Sequence, residues 1–325
     1  MARLDSLLMH SLIAACTLAG ASVVFAQAYP SKPIRAIVPF APGSATDQIA
    51  RAFAAKMVET LGQPIVVENR PGANGMIGAD TVAKAPPDGY TILFGTNSTN
   101  AALKSLMKKL PYDQDTAFTA IGYMGSVPLI VAVNNEFPAK TLAEFIALAK
   151  AKPGNITFAT ASTSQRISSE MLAGMAGIKM THVPYKSSPN AITDLIGGQV
   201  NMFTADFAVM LPQVKAGKVR ALAVTSTRRS AVAPDLPTVN EAAGLKDYEL
   251  IAFFGAYGPA GMPRDAVQRL NEVINAAARS KEVVDRFAAL GMETAPGTPE
   301  AFAQRTALEA VKWAKAIKDA GIEAE

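Results

Sequence analysis

The sequence predicts an α/β protein built as two domains. Short β-branched runs alternate with helical stretches, the pattern of parallel strands joined by helices. The 325-residue chain less its first 26 residues leaves 299, enough for two domains with cores of their own. Two apolar segments, residues 125–133 and 250–257, read as passages between domains, and the stretch between them has its own β-α alternation. The expected division is residues 27–128 with 252–325 as a discontinuous first domain and 129–251 as the second.

Taken in order, residues 34–39 read as the first strand. Residues 46–61 read as a helix, with Ile49, Ala50, Phe53 and Met57 on one face and Gly62 as its stop. A strand at 65–68, a helix at 75–84 and a strand at 91–95 complete the first alternation. The second has a helix at 142–151, a strand at 156–159, a helix at 165–176 and strands at 179–183, 200–205 and 220–225. Helices at 264–278, 282–290 and 300–320, each bounded by Pro or Gly, close the chain. No solenoid-type repeat is present.

The amino terminus reads as an export signal. Arg3 gives a basic start, residues 7–26 are apolar, broken only by His10 and small hydroxyl residues, and Val24 and Ala26 fill the small-residue positions of a cleavage site after Ala26. An uncleaved anchor is the alternative; the stretch is long enough, but no basic residues follow it. Cys16 makes a faint lipoprotein-site resemblance with too short an apolar run. The expectation is a Gram-negative periplasmic protein with no stable membrane insertion after cleavage.

Composition then narrows the chemistry. The only cysteine, Cys16, and one of two histidines, His10, lie in the signal, leaving His182. Thiol nucleophiles, thiolate metal sites and a His-rich zinc site are excluded, and no cofactor or metal is expected. Lys and Arg number 31 and Asp and Glu 27, a net charge of +4 without like-charge blocks, which argues against nucleic acid as a partner. There is no Walker-type loop, dinucleotide Gly-x-Gly-x-x-Gly or Gly-x-Ser-x-Gly elbow.

The sharpest feature is Pro39-Phe40-Ala41-Pro42-Gly43-Ser44-Ala45-Thr46-Asp47, after the first strand and opening the first long helix. A helix start leaves N–H groups without partners and carries partial positive charge, so it holds an anion without a basic side chain. The same residues also fit a plain cap at Thr46 or Asp47. Ala161, Ser162, Thr163, Ser164, Gln165 and Arg166 repeat the arrangement before the helix at 165. Arg166 is either a bidentate partner for a carboxylate or a solvated helix arginine. A third loop, residues 96–100, offers Asn97 as donor and acceptor. Asp206, after a strand, is either a cleft residue or a turn residue. Phe254 is a core residue or a wall for a ligand. His182, in a short apolar strand, reads as structural, because no nucleophile or acid is placed beside it in sequence.

Several runs resemble the Bug proteins, substrate-binding proteins of tripartite tricarboxylate transporters. They are Tyr29-Pro30-Ser31-Lys32-Pro33-Ile34, Val38-Pro39-Phe40-Ala41-Pro42-Gly43, Asp47, Ala50-Arg51, Val67-Glu68-Asn69-Arg70-Pro71-Gly72-Ala73, Pro87-Asp88-Gly89-Tyr90-Thr91, His182-Val183-Pro184-Tyr185-Lys186 and Gly217-Lys218-Val219-Arg220-Ala221-Leu222-Ala223-Val224-Thr225. The resemblance implies the periplasmic-binding-protein (Venus flytrap) fold, two Rossmann-like α/β domains joined by a crossing-strand hinge. It also implies a carboxylate held largely by backbone N–H groups and waters from the loops at 40–47 and 161–165. Such proteins bind dicarboxylates, tricarboxylates, amino acids, nicotinate or aromatic acids. The implied partners are membrane transporter subunits or a sensor, and a monomer is expected. Three places depart from the family pattern: Ser44 stands for a second glycine, Ser162-Thr163-Ser164-Gln165-Arg166 for a Gly-rich loop followed by histidine, and Phe253-Phe254 for a tryptophan. The departures suggest a more directly held second carboxylate, with a linear dicarboxylate or a rigid diacid such as terephthalate as ligand. The expected function is capture without catalysis; the alternative is a hydrolase using a serine of the Ser162–Ser164 loop.

Overall fold

The computed structural model describes residues 29–324; the export signal read at residues 1–26 lies outside them. One half of the fold begins with strands β1 (Ile34–Val38), β2 (Ile65–Asn69) and β3 (Thr91–Thr96), parallel in the order β2-β1-β3. Helices α1 (Ala45–Leu61) and α2 (Met76–Ala83) connect them. β1 is buried on both faces: Ile34, Ala36 and Val38 enter the main core, while Ile37 packs with Ala79, Leu93 and Phe302 on the other side. A strand covered on both sides has little room for polar side chains, which is why β1 is apolar but for Arg35, whose Nε donates to Glu68 Oε2 at 2.6 Å. In α1 the buried face is Ile49, Ala50, Phe53 and Met57, as its spacing predicts, and Gly62 ends it in the left-handed conformation at φ 67°.

After β3 the chain makes a π-helical turn (Ser98–Ala102) running into α3 (Leu103–Leu106). Then comes the longest strand, β4 (Phe118–Asn134), where a passage between domains was expected at 125–133. Its first part pairs antiparallel with β9 (Ile251–Pro259), the last pair being Pro128 with Ile251. From Leu129 onward it pairs with β7 (Met202–Asp206), and from Ile130 with β8 (Val219–Val224) on the edge that β9 has left. The other half holds α4 (Leu142–Ala151), β5 (Thr157–Thr160), α5 (Thr163–Ala176), β6 (Thr181–Pro184), α6 (Ser188–Ile196), α7 (Phe207–Lys215) and α8 (Val239–Ala243). There β5 pairs parallel with β6 and β7. Parallel pairing therefore holds inside each half, while the passages are antiparallel.

Thr225 ties the junction. Its Oγ accepts from Leu129 N–H at 2.7 Å and donates to Leu250 C=O at 2.6 Å. Its own N–H donates to Leu129 C=O and its C=O accepts from Leu250 N–H, each at 3.0 Å. α9 (Arg264–Arg279), α10 (Lys281–Ala288) and α11 (Pro299–Asp319) return to the first half. α9 packs on α1 and β4, and α11 on β4 and the π-helical turn. The sequence reading did not anticipate α3, α6, α7 or α8.

Candidate functional site

Four helix starts converge on one cleft between the halves. Ser44, Ala45 and Thr46 line it from α1, Ser162, Ser164 and Gln165 from α5, Ser188 from α6, and Asp206 from the cap of α7. Phe40, Thr96, Asn97, Ser98, Ala252 and Phe254 complete the wall. Neither Lys nor Arg is among the lining residues. The positive potential is therefore that of the helix dipoles and exposed N–H groups. Free space at the centre is about 20 Å³, room for roughly one water.

The α1 loop is shaped by its own side chains. Ser44 Oγ accepts from Asp47 N–H at 3.2 Å, and Asp47 Oδ2 accepts from Gly43 N–H at 3.0 Å. The N–H groups of Ala45 and Thr46, in the first turn, have no acceptor inside the helix. The Asp47 carboxylate also receives Arg51 Nε at 3.0 Å and Asn69 Nδ2 at 2.9 Å. Burial pushes Asp47 up, but the bonds from Arg51, Gly43 and Asn69 outweigh it and hold the carboxyl below its ordinary range. Asp47 thus shapes the loop, and Asn69 Nδ2, which also reaches Phe40 C=O at 3.0 Å, fixes it to β2. Gly43 sits at φ +80°, and a Cβ there would meet Pro189 of α6 at 3.4 Å. The turn itself requires that glycine.

The α5 start is pinned by Gln165. Its Oε1 accepts from Ala161 N–H at 2.7 Å, and its Nε2 donates to Ser188 Oγ at 3.0 Å and faces Asp206 Oδ2 at 3.5 Å. Ser164 N–H donates to Ser98 Oγ at 3.1 Å, a bond that crosses the cleft from one half to the other. Ser162 Oγ and Ser164 Oγ lie 3.1 Å apart. Asn97 Nδ2 donates to Ile251 C=O at 3.1 Å, while its Oδ1, together with Thr96 Oγ1 and Thr163 Oγ1, is buried without a hydrogen-bond partner. Buried polar atoms are rarely left so, and these stand at the cleft loops.

Asp206 is the one ionisable side chain among the lining residues. Burial pushes its carboxyl up to about 6, against hydrogen bonds from the backbone and Gln165 that lower it. Arg166, Pro42, Gly43, Asp47, Ala161 and Thr163 belong to the two loops but are not among the lining residues. The Arg166 charge acts on Glu170, whose carboxyl burial pushes up and Arg166 pulls down. His182 Nε2 meets Thr160 Oγ1 at 2.6 Å and its ring stacks on Phe158 at 5.2 Å.

The sequence reading passed over Ser188 and Ala252, and it did not single out Thr96 and Ser98 within their loop. The run Ser187-Ser188-Pro189 carried a signal for the first: a capping serine, then Pro in the first turn. A larger cavity of about 570 Å³ lies between α5, residues 247–251 and α11, lined by Met171, Leu250 and Trp313 among others. None of the four helix starts lines it, so the smaller cleft is the functional candidate.

Comparison with known proteins agrees with this geometry. The sequence profile of the tripartite tricarboxylate transporter family receptor matches residues 49–322. The chain belongs to that family. It is 39% identical over 294 residues to the UPF0065 protein in the tcbD-tcbE intergenic region of Pseudomonas sp. (strain P51), covering 90% of this chain and 87% of the relative. It is 36% identical over 304 residues to BugT of Bordetella pertussis, with 93% of each chain covered. Among solved structures, an R. palustris protein with adipate matches with a TM-score of 0.89 at 32% identity, covering 91% of this chain and all of that one. MatC from Rhodopseudomonas palustris with bound malate matches at 0.85 and 32% identity, covering 89% of this chain and all of that one. The periplasmic binding protein BugD matches at 0.87 and 34% identity, covering 91% of this chain and all of that one. As a family receptor, the chain has the two-domain α/β periplasmic-binding-protein fold. Among the described residues, no helix is long and apolar enough to cross a membrane.

Proposed function

We propose that this receptor is exported to the periplasm by the signal at residues 1–26, captures a small dicarboxylate between its halves and delivers it to a tripartite tricarboxylate transporter without transforming it. The observation that carries the reading is the convergence of four helix starts on one cleft lined by neither Lys nor Arg. Such a cleft favours an anion through N–H groups and dipoles. Residues 29–128 with 252–324 form one closing unit and 129–251 the other, and they part when the Ser98–Ser164 bond opens to admit a ligand larger than a water. The ligand is a linear dicarboxylate, of which adipate and malate in the similar structures are examples, or an aromatic diacid such as terephthalate. Arg166, in the first turn of α5, does not line the cleft; as a partner for a second carboxylate it stands or falls by Arg166→Ala, whose unchanged affinity for every diacid bound would remove it from the site. The receptor works as a monomer.

The alternative hydrolase reading rests on the paired hydroxyls of Ser162 and Ser164. His182, the one histidine of the described residues, is placed against Thr160 of β5 instead. A thermal-shift screen against carboxylic acids, with the acid recovered afterwards, separates the two. Capture raises Tm by mass action and returns the acid unchanged; hydrolysis yields product from esters. No shift with any acid would refute the capture reading.

A further inference from the structure

The cleft that holds an anion contains a carboxyl group of its own. Asp206 caps α7, is 7% exposed, and stands among the residues facing the cleft centre. The one side-chain hydrogen bond to it comes from Gln165 Nε2 at 3.5 Å, at the outer limit for such a bond. The charged and titratable side chains on the surrounding elements are engaged elsewhere. Asp47 of α1 binds Arg51, Asp194 of α6 receives the Tyr185 hydroxyl, and His182 of β6 meets Thr160. The Arg166 charge acts on Glu170, both of α5, and Arg220 of β8 donates to the carbonyls of Asn135, Phe137 and Ala139. Lys215 lies in the last turn of α7, at the far end from Asp206. On β4 the one ionisable side chain is Tyr123, which packs against Phe253 and Phe302, and β5 and β7 carry none besides Asp206.

A dianion entering this cleft would bring two carboxylates beside a third with no cation among the lining residues. Two like charges at such range cannot both persist without cost, and the usual resolution is a shared proton. We propose that Asp206 receives a dicarboxylate ligand as a neutral acid, donating its carboxyl hydrogen to one ligand carboxylate, so that capture of each dianion takes up one proton from solvent. The proposal rests on the capture reading above and names what it selects: dianions are taken with a proton, and Asp206 decides their pH dependence. Asp206 is already poised for this, because burial lifts its carboxyl to about 6 against the hydrogen bonds that lower it.

The test is calorimetric titration of the full chain with adipate and with malate between about pH 6.5 and about pH 8.5, where both acids are dianions and a free Asp206 is largely ionised. It is repeated in buffers of different ionisation enthalpy. The expected result is uptake approaching one proton per ligand and an affinity that falls about tenfold per pH unit. Asp206→Asn, which keeps a neutral donor in place, should bind with no proton uptake and no such slope, and hence more tightly than the native protein at the alkaline end. Binding by the native protein with zero proton uptake and a flat pH profile overturns the proposal while leaving carboxylate capture standing. Absence of binding by any diacid across the range overturns both. The proton count in the native protein decides the matter even if Asp206→Asn does not fold.

Discussion

Replacing Thr225 by Val tests the junction between the halves with almost no change in shape. The hydroxyl of Thr225 serves two buried backbone groups, Leu129 N–H at 2.7 Å and Leu250 C=O at 2.6 Å. Thr225 and Leu129 have no exposed surface and Leu250 is 3% exposed, so water cannot replace the lost partner. Each orphaned group costs about 1–3 kcal/mol. The added methyl returns about 0.8 kcal/mol, and the net loss is about 1–5 kcal/mol. In a chain of this size that is a fall in Tm of about 2–8 °C. Urea denaturation followed by circular dichroism gives the free energy, with Thr225→Ser as the control that keeps the hydroxyl. The ligand affinity should change too, because these bonds join β8 and β9 to the strand that both halves share. A Val variant within about 0.5 kcal/mol of the native protein, or a Ser variant as unstable as the Val variant, would refute the reasoning.

Four further outcomes follow from the same coordinates. Asp206 titrates at about 6 in the folded chain, above its ordinary 3.8, so the folded state binds the proton more tightly and native stability falls as pH rises through about 6. Asp206→Asn should therefore gain up to about 3 kcal/mol at neutral to alkaline pH and almost nothing near pH 4, read by urea denaturation at several pH values. Asp47 has the opposite sign: its depressed carboxyl stabilises the fold above the ordinary carboxylate range and loses that effect as pH falls through the folded-state value. Asp47→Asn should be less stable by about 1–3 kcal/mol at neutral pH, with the gap closing in acid. Gly78→Ala would place a Cβ 2.7 Å from Pro39 Cα. A lower Tm is expected despite the roughly 1 kcal/mol by which Ala favours a helix. Gln165→Leu removes the acceptor of Ala161 N–H and the donor to Ser188. Weaker diacid binding with a stability loss of about 1–3 kcal/mol is expected; calorimetry showing native affinity would place Gln165 outside the binding machinery.

Much of the fold was legible because its signals are local. The apolar spacing of Ile49, Ala50, Phe53 and Met57, the stop at Gly62 and the helix at 142–151 are properties of neighbouring residues, and the structure has them where the pattern puts them. The first passage was legible as an apolar run, but its exchange of partners, β9 for β7 and β8 near Pro128, was not, since pairing across about 70 to 140 residues leaves no mark in either segment alone. The short helices α6 and α7 escaped because each runs only nine residues, too few for a sustained apolar repeat, and Pro212 lies inside the second.

By itself the sequence determined the α/β class, the family, and the two loops that open α1 and α5, for these depend on periodicity, caps and contiguous motifs. Tertiary structure alone decided what those loops face. It brought Ser98 to Ser164, Gln165 to Ser188, and Asp206 into a buried wall without a counter-cation. Asp206 reads in sequence as a residue after a strand that either faces a cleft or sits in a turn; its raised carboxyl is a consequence of the neighbours that exclude water from it. Desolvation is a property of assembled surfaces, and no single segment of the chain carries it.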